Sequence, residues 1–274
     1  MQKTVLITGS SSGIGKATVK YFQERGWNVA ATMRQPDKEQ ELRALPNVKL
    51  YTLDVTNNES IDNALQQVTT DFGRIDVLVN NAGYAAIGIF EAADRDIIQR
   101  QFDTNVFGLM AMSKAILPYF RKNKGGTIVN VASVGGRLCF PLYSLYHATK
   151  WAVDGFSESL QYELKPFDIN VRIIEPGLIK TDFYSRSQQV LAMNEEPEYE
   201  QLLSKGEKTI SNFTQMGSNP ETVAKCIYKA AISTSGKLRY PIAGGARLFL
   251  LMRWITPDRL FRTFVQKVYF GRKA

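Results

Sequence analysis

Residues Thr4 to Val19 read TVLITGSSSGIGKATV, an apolar β-branched run followed by a turn of small residues and then a helix-forming segment. Gly9, Gly13 and Gly15 fall where strand passes into helix. Glycines at that junction let the backbone approach a pyrophosphate closely, and a helix starting near Ile14 offers unpaired N–H groups and the positive end of its dipole. Their spacing departs from G-x-G-x-x-G, so the turn by itself also fits a tight strand-to-helix connection.

The same alternation continues downstream. Thr4 to Thr8, Asn28 to Thr32, Val48 to Leu53, Ile75 to Val79, Thr127 to Val131 and Ile169 to Ile174 read as strands buried on both faces, the mark of a parallel sheet. Helices are predicted near Ile14 to Arg25, Ser60 to Phe72, Arg95 to Lys122 and Ser144 to Leu164, then Glu221 to Ile232, with a last strand from Leu238 to Ile242. Strands alternating with helices predict right-handed βαβ units in a doubly wound α/β sheet of about seven strands with helices on both faces. A single domain over residues 1–245 is expected, with the polar, irregular stretch 182–217 long enough to be a substrate lid, and a basic amphipathic helical extension over 246–274.

The chain has 274 residues, 44% hydrophobic and 22% charged, which excludes disordered and fibrous classes and is long enough for a self-sufficient core. Its two cysteines, Cys139 and Cys226, and single histidine, His147, cannot supply a Cys/His zinc tetrad, so no metal is expected. No secretory signal or membrane-length apolar run stands out, which predicts a cytoplasmic protein. The net charge of +8 raises nucleic acid as a partner, but the last 28 residues hold seven basic residues and one acid, so the body is nearly neutral and no nucleic acid is expected.

Beyond the second strand, where a carboxylate would hold the 2′-hydroxyl of NAD, stand Met33 and Arg34, and no acid lies between Glu24 and Asp37. A guanidinium pairs with a 2′-phosphate that a carboxylate would repel, so NADP(H) is expected over NAD(H). The alternative reading of Arg34 is a solvated loop arginine. Tyr146 and Lys150, in YHATK, are four apart and share one face if helical, which lets an ammonium favour phenolate. Taken singly, that pair is a common surface arrangement, Ser133 a strand-end cap, and Asn105 a polar helix residue bonding nearby backbone. His147, about 100° round the helix from Tyr146, reads as a helix-face residue rather than a triad base.

TGSSSGIG, NNAG at Asn80 to Gly83, Asn105 in NVFG, Ser133 in VASVGG, and YHATK occur in one order. Through these five motifs, over nearly its whole length, the chain resembles the short-chain dehydrogenase/reductase family. The extended C-terminus resembles its hydroxysteroid and retinol dehydrogenase-like branch. The resemblance implies a Rossmann-type fold and hydride transfer between a nicotinamide cofactor and a carbonyl or alcohol. It implies Tyr146 as acid/base, Ser133 as the hydroxyl holding the carbonyl, Lys150 as the lysine that binds ribose and lowers the tyrosine pKa, and Asn105 as support for a proton-relay water. Cofactor contacts are implied at Gly9, Ser11, Gly13, Ile14, Arg34, Asp54, Asn81, Ala82, Gly83, Tyr146, Lys150, Ile179 and Thr181. It further implies a homodimer or homotetramer paired through the long helices that carry Asn105 and Tyr146.

Leu138, Phe140, Leu142, Tyr143 and Leu145 lie between Ser133 and Tyr146, and Phe183 and Tyr184 open the expected lid. Such residues suit a lipophilic small-molecule substrate, or else pack core. The tail sets apolar residues from Leu248 to Val268 among Arg247, Arg253, Arg259, Arg262 and Lys267, with Pro257 expected to start its second helix. It fits peripheral contact with an anionic membrane, packing over the cleft, or a partner chain.

Overall fold

The computed structural model describes residues 2–180, 188–193 and 196–271. At its centre β1 (Thr4–Ile7) lies between β2 (Asn28–Met33) and β4 (Val77–Asn80). With β3 (Val48–Thr52), β6 (Gly126–Val131), β7 (Ile169–Pro176) and β9 (Arg239–Ile242) these form a parallel seven-stranded sheet ordered β3-β2-β1-β4-β6-β7-β9. All four residues of β1 and of β4 are buried, as the apolar runs Val5 to Ile7 and Val77 to Val79 require, whereas the edge strand β3 buries only Val48 and Tyr51 fully.

Alternate side chains of β1 enter different cores. Val5 and Ile7 join Val19 and Phe22 of α1 (Gly13–Gln23) with Val223 and Ile227 of the helix Pro220–Ile232. Leu6 points to the other face, into Ile61 and Leu65 of α2 (Asn58–Phe72), Met112 and Phe120 of α4 (Gly108–Lys122), and Leu160 of α5 (Ser144–Leu164). The expected doubly wound Rossmann-type fold is therefore present, and the order of strands reverses between β1 and β4, where such sheets open a crevice at their C-terminal ends.

Three local features depart from the sequence expectation. The helix expected over Arg95 to Lys122 is divided into α3 (Arg95–Phe102) and α4 by a π-turn, Asp103–Phe107. The widened turn brings Asn105 inward, where its amide bonds the backbone of Tyr84 and the hydroxyl of Thr149. A separate parallel pair, β5 (Ala85–Gly88) with β8 (Gln188–Leu191), has no counterpart in the prediction. Its four-residue strands are too short to show a period.

The stretch expected to be irregular holds a 19-residue helix, α6 (Pro197–Gln215). Pro197 at its first turn with Glu198 and Glu200 behind it is a helix start, but the buried stripe is reduced to Gly206 and Ile210, which hides the period. Thr181, Phe183 and Tyr184 lie outside the described residues. The helix Pro220–Ile232 is α7, and the extension forms α8 (Ala246–Ile255) and α9 (Asp258–Phe270), with Pro257 at the start of α9 as expected. Phe261, Val265 and Tyr269 of α9 pack with Ala85 and Ile87 of β5, Tyr143 and Ile210. Among the described residues no helix is long and apolar enough to cross a membrane.

Candidate active site

The turn after β1 is pinned to the turn after β4. Thr8 Oγ1 accepts the N–H groups of Asn81 and Ala82, both at 3.0 Å, and Asn81 Nδ2 donates to the carbonyls of Thr8 and Gly9 at 3.0 and 3.1 Å. Gly9 has φ +68°, and a Cβ there would stand 2.8 Å from Ala82 Cα. Gly15 backs directly onto the Gly9 carbonyl. Only glycine fits either position. The result is a small-residue cradle at the N-terminus of α1, whose own cap, Ser12, makes no side-chain hydrogen bond to the helix. Such a cradle suits a phosphate.

Arg34, at the end of β2, is exposed and makes no hydrogen bond or ion pair among the described residues, so its guanidinium is available to an anion. Asp54 borders the same cavity, but its Oδ1 already accepts from Thr56 N and Oγ1 at 3.0 and 2.8 Å, closing a local turn. Asn57 caps α2.

Ser133 ends β6. Its Oγ accepts the Gly135 N–H at 3.0 Å, so it caps a short turn while its own proton remains available to an incoming carbonyl oxygen. Tyr146 and Lys150 rise from one face of α5, with Lys150 Nζ 5.6 Å from the centre of the Tyr146 ring. The amine donates to the Val131 carbonyl at 2.9 Å. Burial without a carboxylate partner lowers the Lys150 pKa to about 8.

Asn105 is buried beside the cavity without lining it. Its Oδ1 accepts from Tyr84 N at 3.0 Å, and its Nδ2 donates to Tyr84 O at 2.8 Å and to Thr149 Oγ1 at 3.1 Å. Thr149 in turn donates to the Tyr146 carbonyl at 2.7 Å. Asn105 thus ties the π-turn to the first turn of α5.

His147 is the residue the sequence most underrates. It is buried, and its Nε2 accepts the Phe140 N–H at 3.1 Å, so Nδ1 carries the hydrogen donated to the Gly135 carbonyl at 2.9 Å. Burial lowers its pKa to about 4. One imidazole therefore joins the Ser133 turn, the Phe140 loop and α5. The sequence signal was its adjacency to Tyr146. Thr8 and Thr149 hold their backbone partners without any sequence signal of their own.

One cavity of about 1050 Å³ gathers these parts. Gly9, Ser11, Gly13, Ile14, Arg34, Asp54, Asn81, Ala82 and Gly83 line one end, Ser133, Tyr146, Lys150 and Ile179 the middle, and Phe249, Met252, Phe261 and Val265 of the extension the far end.

Residues 3–191 match the family described as short chain dehydrogenase, and the chain belongs to that family of oxidoreductases. It is 38% identical to YusZ, an uncharacterised oxidoreductase of Bacillus subtilis, over 98% of this chain and 99% of that one. It is 36% identical to a 3-ketodihydrosphingosine reductase of Bacteroides thetaiotaomicron, over 97% of each. Among solved structures, a short-chain dehydrogenase from Streptomyces avermitilis superposes with a TM-score of 0.84 at 33% identity, covering 99% of this chain and 98% of that one. ElxO with NADP bound gives 0.74 at 30% identity, over 90% of this chain and all of ElxO.

Proposed function

We propose that this protein is an NADP(H)-dependent oxidoreductase that interconverts lipophilic ketones or aldehydes with their alcohols, running in the cell as a reductase. The observation that carries the reading is the continuity of the cavity, from a phosphate-sized cradle and a free guanidinium, past Ser133, Tyr146 and Lys150, to a wall of apolar side chains from α8 and α9. The NADP bound to ElxO and the ketosphingoid substrate in the name of the Bacteroides relative support it.

The cradle of Gly9, Ser11, Gly13 and Ile14 fits a pyrophosphate, Arg34 a 2′-phosphate, and Asn81, Ala82, Gly83, Lys150 and Ile179 the remainder of a dinucleotide. Such a cofactor supplies or accepts the hydride. Ser133 donates a hydrogen bond to the substrate oxygen, and Tyr146 gives that oxygen its proton. Donors fixed in advance stabilise the negative charge growing there more than they stabilise the neutral carbonyl. Protonated Lys150, close to the ring, favours phenolate and brings the phenol toward neutral operation. Asn105 and Thr149 hold the turn of α5 on which Tyr146 stands.

Phe213 of α6 borders the cavity, which supports a lid role for 182–217. Half-exposed Phe107, on the π-turn, and Trp151, on α5, support pairing of copies through those helices. The test is NADPH absorbance across a panel of long-chain and short-chain ketones and aldehydes. Turnover that favours the apolar members and disappears in Tyr146→Phe is expected. Full turnover by Tyr146→Phe defeats the mechanism.

A further inference from the structure

The far wall of the cavity is also a surface. α9 carries two apolar stripes side by side: Phe261, Val265 and Tyr269 are buried against the body, while Leu260, Phe264 and Val268, one residue earlier in each turn, are exposed. Phe264 and Val268 nevertheless line the cavity, so the cavity reaches solvent through this second stripe. On α8, Leu248, Leu251 and Ile255 repeat the pattern at helical spacing, and Trp254 is 83% exposed. Isolated exposed apolar residues need no explanation, but a contiguous set at the rim of an apolar cavity does.

The charge around the rim selects what covers it. Arg247, Arg253, Arg259, Arg262 and Lys267 are interleaved with these residues, and the single acid, Asp258, is already paired with both Arg253 and Arg262 at 2.9 and 2.8 Å. A second copy of the hairpin laid on the first would oppose two strongly positive surfaces. An anionic bilayer complements both features: its headgroups take the guanidinium and ammonium groups, its acyl boundary takes the leucines, and tryptophan favours the level between them.

We infer that the α8–α9 hairpin docks on an anionic lipid surface, so that a lipophilic substrate passes from the bilayer into the cavity at Phe264 and Val268. This rests on the reading of the cavity as a lipophilic carbonyl site. The test uses the full chain with vesicles of phosphatidylcholine alone or mixed equally with phosphatidylglycerol. Binding is expected to the mixed vesicles, at least about tenfold tighter than to phosphatidylcholine, weakening as salt rises, with a blue shift of tryptophan emission. The variants Leu251→Glu with Trp254→Glu, at positions that do not line the cavity, are expected to lose that binding about tenfold or more while keeping turnover of a short, water-soluble ketone. Arg259→Glu with Arg262→Glu is expected to weaken binding by a similar factor.

A full chain that ignores the mixed vesicles overturns the inference. So does undiminished vesicle binding by the Leu251→Glu, Trp254→Glu chain, or loss of self-association in that variant in place of lost vesicle binding. Turnover without vesicle binding removes the docking and leaves the catalytic reading intact, whereas vesicle binding without turnover of any carbonyl removes the catalytic reading alone.

Discussion

The Nδ1–H of His147 donates to the carbonyl of Gly135 at 2.9 Å, fastening the turn that begins at Ser133 to the helix that carries Tyr146. The two groups proposed to meet one carbonyl oxygen are held in register by a side chain outside that proposed reaction. His147→Leu leaves the Phe140 N–H and the Gly135 carbonyl unpaired, which costs about 2–4 kcal/mol by thermal or urea melts. Turnover is expected to fall with it, in kcat more than in KM, and His147→Gln is expected to recover part of both.

The same imidazole sets an acid limit. Its pKa falls from 6.5 unfolded to about 4 folded, so the unfolded chain takes up a proton that the folded chain refuses. Stability is therefore lost as pH drops from about 6.5 through about 4, by roughly 3 kcal/mol in all. The margin by which wild type melts above His147→Leu should therefore shrink as pH falls across that interval.

Glu175 acts in the opposite sense. It is fully buried near the end of β7, with Arg137 and Arg239 at 3.6 and 3.7 Å and the Asp154 carboxyl beside it. Burial, helped by the neighbouring Asp154 carboxyl, raises its pKa to about 7 from 4.5. Between those values the unfolded chain has lost its proton and the folded chain has not, so stability falls as pH rises, by at most roughly 3 kcal/mol. Glu175→Gln should abolish this slope and melt higher than wild type at pH 8.

Lys150 predicts an alkaline limit on catalysis. With its pKa lowered to about 8, the free enzyme loses the ammonium as pH climbs past that point. The kcat/KM for NADPH, which reports the free enzyme, is expected to drop about tenfold per pH unit above it. Lys150→Met should lower turnover by roughly 100-fold or more throughout, without that limb. A flat profile in wild type would count against the assignment.

Arg34→Ala should raise the KM for NADPH about tenfold or more while leaving NADH kinetics within about twofold, since only the 2′-phosphate distinguishes the two. Parallel initial-rate measurements with each cofactor check this. Equal losses for both would mean that Arg34 serves the adenine end generally.

How much of this was legible in the sequence follows from what each feature depends on. The strands β1 and β4 announce themselves because a strand covered on both faces is apolar through its middle, as Val5 to Ile7 and Val77 to Val79 are, and β7 does so through Ile173 and Ile174 despite its buried Arg172 and Glu175. The cradle glycines are legible because no other residue accepts the Gly9 backbone and its approach to Ala82. By contrast α6 keeps only two buried positions, one of them Gly206, and β5 and β8 meet across a separation of about a hundred residues, so neither leaves a local period. The π-turn is set by Asn105 reaching Tyr84 and Thr149 together, a tertiary demand no helical pattern encodes. His147 looked like a bystander because its partners, Gly135 and Phe140, are backbone groups, which sequence does not distinguish.

The clasp between the turns after β1 and β4 has a consequence for how the molecule can diversify. Thr8 and Asn81 lock that floor before any nucleotide arrives, so little ordering remains to be done there on binding. The opposite wall is borrowed from the last thirty or so residues, which contribute no strand to the main sheet. Changes in those helices can reshape what is accepted without disturbing the redox half, so selectivity is free to drift while the chemistry stays put.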